Sequence, residues 1–187
     1  LLLTVAKRPA PGQTKTRLTP PLPPPVAASL YEQFLLDTLD LMRQTPAVER
    51  GIAYLPPAEE GYFRGLAPDF RLLLQEGSTL GERLDNAISQ QLRRGHDKVV
   101  VMDSDSPSLP AACLTEAFAA LGNAVDVTLG PCDDGGYYLI GTQRPIPRLL
   151  REIQMSTPRV VADTLALARA EGVRVHLLPT WYDVDDG

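Results

Sequence analysis

Cysteine is scarce in this chain: among 187 residues there are two, Cys113 and Cys132, and they belong to no CxxC pair. That spacing indicates neither a disulfide framework nor a zinc motif and fits a reducing cytoplasm. A cationic excess is also missing. The 18 Lys and Arg against 23 Asp and Glu leave a formal charge of −5, which argues against a general nucleic-acid binder, because affinity for a phosphate backbone rests on surplus Lys and Arg. No apolar run approaches the ~20 residues of a membrane span, and the opening Leu1-Leu2-Leu3-Thr4-Val5-Ala6 is too short for a signal h-region. The chain is therefore expected to be soluble, unexported and without a membrane partner. Histidine is equally sparse: His96 follows Gly95 in a loop and His176 falls inside a strand, and both read as structural. What is present is ordinary globular material, 44% hydrophobic and 22% charged, of a length that fits one domain over residues 1–187.

Strand and helix patterns alternate along the chain. Residues 1–6 form a short apolar run that stops at Lys7-Arg8-Pro9, and residues 9–25 hold seven of the 18 prolines, which marks a loop long enough to suggest function. From Val26, apolar residues recur at helical spacing as far as Met42 and predict a helix ending before Pro46. Short strands are predicted at Gly51–Leu55 and Phe70–Leu74. A helix follows from Leu80 to Leu92, closed by Gly95. Lys98-Val99-Val100-Val101-Met102 lacks alternation, as a strand buried on both faces should. A helix at about Pro110–Leu121, strands at Val125–Leu129 and Tyr137–Ile140, a helix between Thr157 and Glu171 capped by Thr157, and a strand at Val173–Leu178 complete the series. The order predicts a three-layer α/β/α sandwich with a mostly parallel sheet.

Ligands of open α/β sheets collect beyond the carboxyl ends of strands, and four polar clusters follow predicted strands. The first runs from Lys7 through Gly12 to Leu18. If Lys15-Thr16-Arg17 is extended, Lys15 and Arg17 share a side and can clamp a diphosphate; the alternative is a solvated basic loop. It is not a P-loop, since the G-x-x-x-x-G-K-S/T pattern fails at Thr14. The second, Asp103-Ser104-Asp105, places two carboxylates where one Mg²⁺ or Mn²⁺ could be held, the alternative being a helix cap. The third runs from Gly130 to Tyr138: Gly135 and Gly136 allow close backbone approach, and Asp133 or Asp134 could hold an acceptor or act as a base, unless the segment is merely a hairpin turn. The fourth, Asp183-Val184-Asp185, could complete a metal shell through Asp185 or be a solvated acidic terminus. Cys132 has no histidine nearby to make it a nucleophile. Cation clamp, paired acids and metal are the parts needed for displacement at a nucleoside diphosphate or triphosphate.

The run Ala6-Lys7-Arg8-Pro9-x-Pro11-Gly12-x-x-Lys15-Thr16-Arg17-Leu18, with Leu80-Gly81-Glu82-Arg83-Leu84, Asp103-Ser104-Asp105-Ser106-Pro107, Gly130-Pro131-x-Asp133-Asp134-Gly135-Gly136-Tyr137-Tyr138-Leu139-Ile140-Gly141, Ser156-Thr157 and Asp183-Val184-Asp185, resembles a bacterial glycosyltransferase family. That family is labelled arsenosugar-biosynthesis or radical-SAM-associated, and it is similar in turn to the nucleotide-diphospho-sugar transferase (GT-A) fold and to the molybdenum-cofactor and phospholactate nucleotidyltransferases. The resemblance implies the GT-A type of sandwich and the acidic motif for Mg²⁺ or Mn²⁺ at Asp103 and Asp105, to which the fourth cluster could add Asp185. It further implies phosphate contacts from Lys15 and Arg17, with Arg83 near the nucleotide; Lys7 and Gly12 are further candidates for the phosphates, Asp133, Gly135, Gly136 and Tyr137 for the acceptor, and Asp134 and Asp105 for the chemistry. The expected reaction is metal-dependent transfer of a glycosyl group from a nucleoside-diphosphate sugar to a small acceptor. Transfer of a nucleotidyl group from an NTP with release of pyrophosphate stays open, as does a non-catalytic nucleotide-sugar binding module. One departure is visible: the glycine-rich opening of sugar nucleotidyltransferases is proline-rich here, with Gly12 alone.

Overall fold

Runs of leucine and valine buried on both faces set the frame. The computed structural model describes residues 1–46, 48–122 and 124–184. Its two central strands are β1 (Leu2–Lys7) and β4 (Val99–Met102). Alternate residues of both enter different cores: Leu2, Ala6, Val100 and Met102 face one side, and Leu3, Val99 and Val101 the other, which is the period-2 consequence of a strand covered on both faces. The remaining strands are β2 (Arg50–Leu55), β3 (Arg71–Leu74), β5 (Val127–Pro131), β6 (Tyr137–Thr142) and β7 (Val175–Leu177). They form one seven-stranded sheet in the order β3-β2-β1-β4-β6-β5-β7. β6 alone runs antiparallel, against β4 and β5.

Helices α1 (Pro24–Gln44), α2 (Glu60–Leu66) and α4 (Ala111–Ala120) cover the first face with Leu35, Leu39, Phe63 and Leu114. Helices α3 (Leu80–Arg93), α5 (Pro147–Arg151) and α6 (Val160–Ala170) cover the second with Leu84, Ile88, Leu150 and Ala168. The three-layer, mostly parallel sandwich expected from the sequence is the observed architecture. No helix among the described residues is long and apolar enough to cross a membrane.

Element ends differ from expectation for local reasons. α1 begins at Pro24 rather than Val26, with prolines in its first positions, where their missing donors and fixed φ suit a helix start. β5 starts two residues late because Gly122 and Val125 first close a small turn, bonded N–H to O at 3.2 Å in each direction. The short helices α2 and α5 escaped prediction, being too brief to show a helical period. Thr157 does not cap α6. The cap position is Arg159, and the Thr157 hydroxyl donates instead to the Gln154 carbonyl at 3.3 Å. A free donor at the start of α6, the Val161 N–H, is taken by the Gly135 carbonyl at 3.0 Å, so the β5–β6 turn does the capping.

The last strand is secured by a carboxylate. Asp126, at the foot of β5, accepts from the Arg174 backbone N–H and Nε, both at 2.9 Å, and from its Nη2 at 3.1 Å. Those bonds hold the Asp126 carboxyl well below the usual carboxylate range. A group depressed in this way stabilises the fold above the unfolded pKa of ~3.9 and loses that contribution as pH falls through its lower folded value. Asp126→Asn is therefore expected to cost about 1.5–3 kcal/mol at neutral pH in urea unfolding. The difference from the parent should shrink steadily below pH ~4, and a gap independent of pH would refute the assignment.

Candidate active site at the carboxyl edge of the sheet

β1 and β4 end side by side, and the β5–β6 turn opens at the same edge, so three of the four polar clusters converge there. They line a cleft with two lobes, of roughly 460 and 370 Å³, that share Arg17, Leu80, Asp105 and Ser156 as common wall.

The larger lobe is basic. The segment 15–17 is not extended: Lys15 sits at φ 49, ψ 44 in the left-handed region, and Thr16–Leu18 is a 3-10 turn. Prolines at 9, 11, 20 and 21 deny this loop backbone donors, so it closes on itself instead. The Thr14 hydroxyl bonds Ala10, and the Leu18 N–H reaches the Lys15 carbonyl at 3.1 Å. The expected juxtaposition nonetheless results, by another route: Lys7, Lys15, Arg17 and Arg83 all line the lobe. The Lys15 side chain is only 4% exposed and its Nζ stands 3.0 Å from Asp105 Oδ2. Arg83 Nε is buried and makes no hydrogen bond among the described residues, and buried donors of this kind usually have a partner. Beneath them, the Lys7 N–H donates to Tyr31 Oη at 3.3 Å, that hydroxyl shares a 2.9 Å bond with Ser104 Oγ, and Ser104 donates to the Val5 carbonyl at 3.1 Å. Burial and the Asp105 charge push the Tyr31 hydroxyl up to about 12, so it remains a donor in this chain.

The smaller lobe is acidic, lined by Asp103, Asp105, Asp134 and Asp183 with Cys132 and Tyr137. Asp103 accepts from Ser106 Oγ at 2.9 Å. Burial, then the charges of Asp105 and Asp183, hold its carboxyl well above the ordinary range. Asp183 arrives because the Trp181 N–H bonds the Pro131 carbonyl at 3.0 Å and the Val184 N–H bonds the Asp105 carbonyl at 2.9 Å. The expected ligand Asp185 lies outside the described residues; Asp183, two positions earlier, is the acid of that motif found in the lobe. Carboxylates that repel one another at a strand end match the oxygen donor set of a hard divalent cation, and Asp103, Asp105 and Asp183 fit Mg²⁺ or Mn²⁺ on that ground. Burial, then the surrounding aspartates, push the Cys132 thiol up.

Other expected residues take different places. Gly12, at φ +71, is exposed in the loop and lines neither lobe. Asp133 is exposed, and its N–H bonds the Trp181 carbonyl at 3.0 Å. Asp134 Oδ1 accepts from the Gly136 N–H at 2.7 Å, and Gly136 and Tyr137 do line the acidic lobe. Gly135 approaches protein: a Cβ there would lie 2.0 Å from the Pro158 carbonyl oxygen. Residues not singled out for the site were Tyr31, Gln75, Met155 and Ser156. Tyr31 read as one of the apolar positions of α1, and Gln75 carried no motif. Ser156, at φ 61, lines both lobes; its pairing with Thr157 in the resemblance was the only signal.

Gly135 sits at φ +89, so Gly135→Ala combines backbone strain with a clash against the start of α6. It is expected to cost at least about 2 kcal/mol. Thermal and urea unfolding check this, and an unchanged midpoint would mean the turn relaxes freely.

Known structures share this fold. A crystal structure of a candidate nucleotide-diphospho-sugar transferase from Desulfovibrio desulfuricans G20 superposes with a TM-score of 0.92 at 33% identity, over 99% of this chain and 81% of that one. CMP:2-keto-3-deoxy-manno-octonic acid synthetase complexed with CTP follows at 0.64 and 10% identity, over 100% and 92%. Glucosyl-3-phosphoglycerate synthase from Mycobacterium tuberculosis, solved with Mn²⁺, UDP and glucosyl-3-phosphoglycerate, gives 0.59 and 11%, over 100% and 72%. The latter two show the fold alone. No curated protein sequence matches the chain. The model of a family described as an uncharacterized protein conserved in bacteria, DUF2064, matches residues 38–157, and the chain belongs to that family.

Proposed function

We propose that the protein transfers a glycosyl group from a nucleoside-diphosphate sugar to a small acceptor in a metal-dependent reaction. The observation that carries this reading is the meeting of a four-cation lobe and a carboxylate lobe at Lys15 and Asp105. Lys7, Lys15, Arg17 and Arg83 hold the donor's diphosphate and stabilise it as it departs. Asp103, Asp105 and Asp183 hold Mg²⁺ or Mn²⁺, with Asp185 a further candidate ligand; when bound, the cation supplies charge to the leaving diphosphate. Asp134, fixed through one oxygen by the Gly136 N–H, orients the acceptor hydroxyl or takes its proton at the other oxygen. Tyr137 and Gly136 bound the acceptor side. Support comes also from the 33%-identical relative, a candidate nucleotide-diphospho-sugar transferase. A second reading, nucleotidyl transfer from an NTP, is favoured by the same four cations, which suffice for a triphosphate.

A product assay separates the two. Purified protein with Mg²⁺ or Mn²⁺, a panel of nucleoside-diphosphate sugars and NTPs, and mixed small acceptors is followed by mass spectrometry. Metal-dependent release of a nucleoside diphosphate supports glycosyl transfer, whereas pyrophosphate moves the protein to nucleotidyl transfer. Tight nucleotide-sugar retention without turnover would make it a binding module.

Two variants test the roles. Lys15→Ala is expected to weaken nucleoside-diphosphate binding about 10- to 100-fold by calorimetry while nucleoside affinity holds, since one charge-assisted bond is worth ~1.5–3 kcal/mol. Equal loss for both ligands would end the phosphate-clamp role. Asp105→Asn should reduce metal-dependent turnover by about 100-fold or more. Unchanged Mn²⁺ and nucleotide binding in that variant would remove Asp105 from the metal set.

A further inference from the structure

We infer that Cys132, Asp134 and Asp183 form a mixed thiolate–carboxylate site for a borderline-soft divalent cation of the Zn²⁺ or Cd²⁺ class, adjoining Asp103 and Asp105 and sharing Asp183 with the oxygen set proposed above. The Cys132 Sγ and one carboxylate oxygen of each aspartate all lie within 4.8 Å of one another. Sulfur and oxygen donors around one tetrahedral zinc stand about 3.5 Å apart, given Zn–S of ~2.3 Å and Zn–O of ~2.0–2.2 Å, so small side-chain rotations close the triad.

The thiol is the second, separate observation. Cys132 is only 7% exposed yet forms part of the lobe wall, and no hydrogen bond reaches its Sγ among the described residues. Cys132 belongs to the apolar core cluster under the sheet, yet it also lines the lobe with the two carboxylates, and that second environment points to a ligand that can use all three. Backbone bonds pre-position the donors from two chain segments. The Cys132 N–H reaches the Gly136 carbonyl at 2.8 Å, which closes the turn carrying Asp134, and the Asp133 N–H reaches the Trp181 carbonyl at 3.0 Å, which brings Asp183 alongside. Asp134 is further fixed by the Gly136 N–H at 2.7 Å.

Donor softness decides the occupant. Mg²⁺ prefers oxygen and gains little from sulfur, whereas zinc and cadmium bind thiolate strongly. On coordination the S–H bond breaks, the sulfur lone pair forms the S–metal bond, and the proton leaves to solvent, with no change of oxidation state. The site is independent of which group the protein transfers. Where the transfer proposed above holds, occupancy withdraws Asp134 from the acceptor and the cation is an inhibitor.

Cadmium tests this directly through its ultraviolet thiolate-to-metal charge-transfer absorption, titrated into the whole chain with Mg²⁺ in excess. The expected result is a band saturating at one equivalent, retained in Cys113→Ser and lost in Cys132→Ser. Cys113 lies on the buried face of α4 and serves as the second thiol of the comparison. Asp134→Asn, at an exposed position whose variant should fold, is expected to weaken Cd²⁺ binding at least about tenfold. No band in the parent chain, a band that survives in Cys132→Ser, or full affinity in Asp134→Asn would each overturn the assignment. Because the readout follows the sulfur and not turnover, failure here leaves the transferase reading standing, and an inactive protein can still show the band.

Discussion

An ion pair between a buried lysine and a partly exposed aspartate joins the two halves of the cleft. Lys15 Nζ and Asp105 Oδ2 are 3.0 Å apart, and the lysine side chain is almost wholly removed from solvent. At an effective dielectric constant of ~20 their attraction is about 5 kcal/mol, while withdrawing each charge from water costs several kcal/mol. The two terms nearly cancel, so the pair adds little to stability but sets position. A pair near that balance can exchange partners at small net cost, the lysine turning to a phosphate and the aspartate to a cation. Around it, Lys7, Lys15 and Arg17 come from the end of β1 and the loop after it and Arg83 from α3, while the acidic groups come from the segments after β4, β5 and β7.

The topology explains why the charges separate in this way. β1 and β4 are parallel neighbours, so the loops that follow them emerge together, one carrying Lys15 and Arg17, the other Asp103 and Asp105. β6 runs antiparallel between β4 and β5, which turns the Asp133–Gly136 connection back onto the same edge. The final segment then pairs with that turn through Trp181 and with the β4 loop through Val184, and Asp183 is delivered to the carboxylate lobe from a third direction. Three of these segments are joined by backbone hydrogen bonds, and the loop after β1 meets them through the Lys15–Asp105 pair.

Glycine and serine backbones carry a share of this placement. Gly135 accepts the close passage of Pro158 and offers its carbonyl to the start of α6, so the turn that positions Asp134 is also the cap of a helix. Ser156 lies at left-handed φ on the wall common to both lobes. Such conformations in non-glycine residues persist only where the surroundings enforce them, and here the α5–α6 connection is packed against both lobes.

The sequence by itself determined the layered sandwich, because the buried valine and leucine runs and the helical spacing of α1 and α3 admit few other arrangements. It also exposed Lys15, Arg17, Asp103, Asp105 and Asp134, since polar residues abruptly ending apolar strands are readable as local pattern. Tertiary structure alone decided how Lys15 and Arg17 come together, through a left-handed residue and a 3-10 turn rather than an extended strand. It likewise decided that Gly135 meets Pro158, that Tyr31 leaves the apolar stripe of α1 to bond Ser104, and that Cys132 joins Asp134 and Asp183. The physical reason is common to all four. Local periodicity records which face of an element is apolar, whereas a site is made where separate elements meet, and the distances between them are fixed by pairing and packing between residues far apart in the chain.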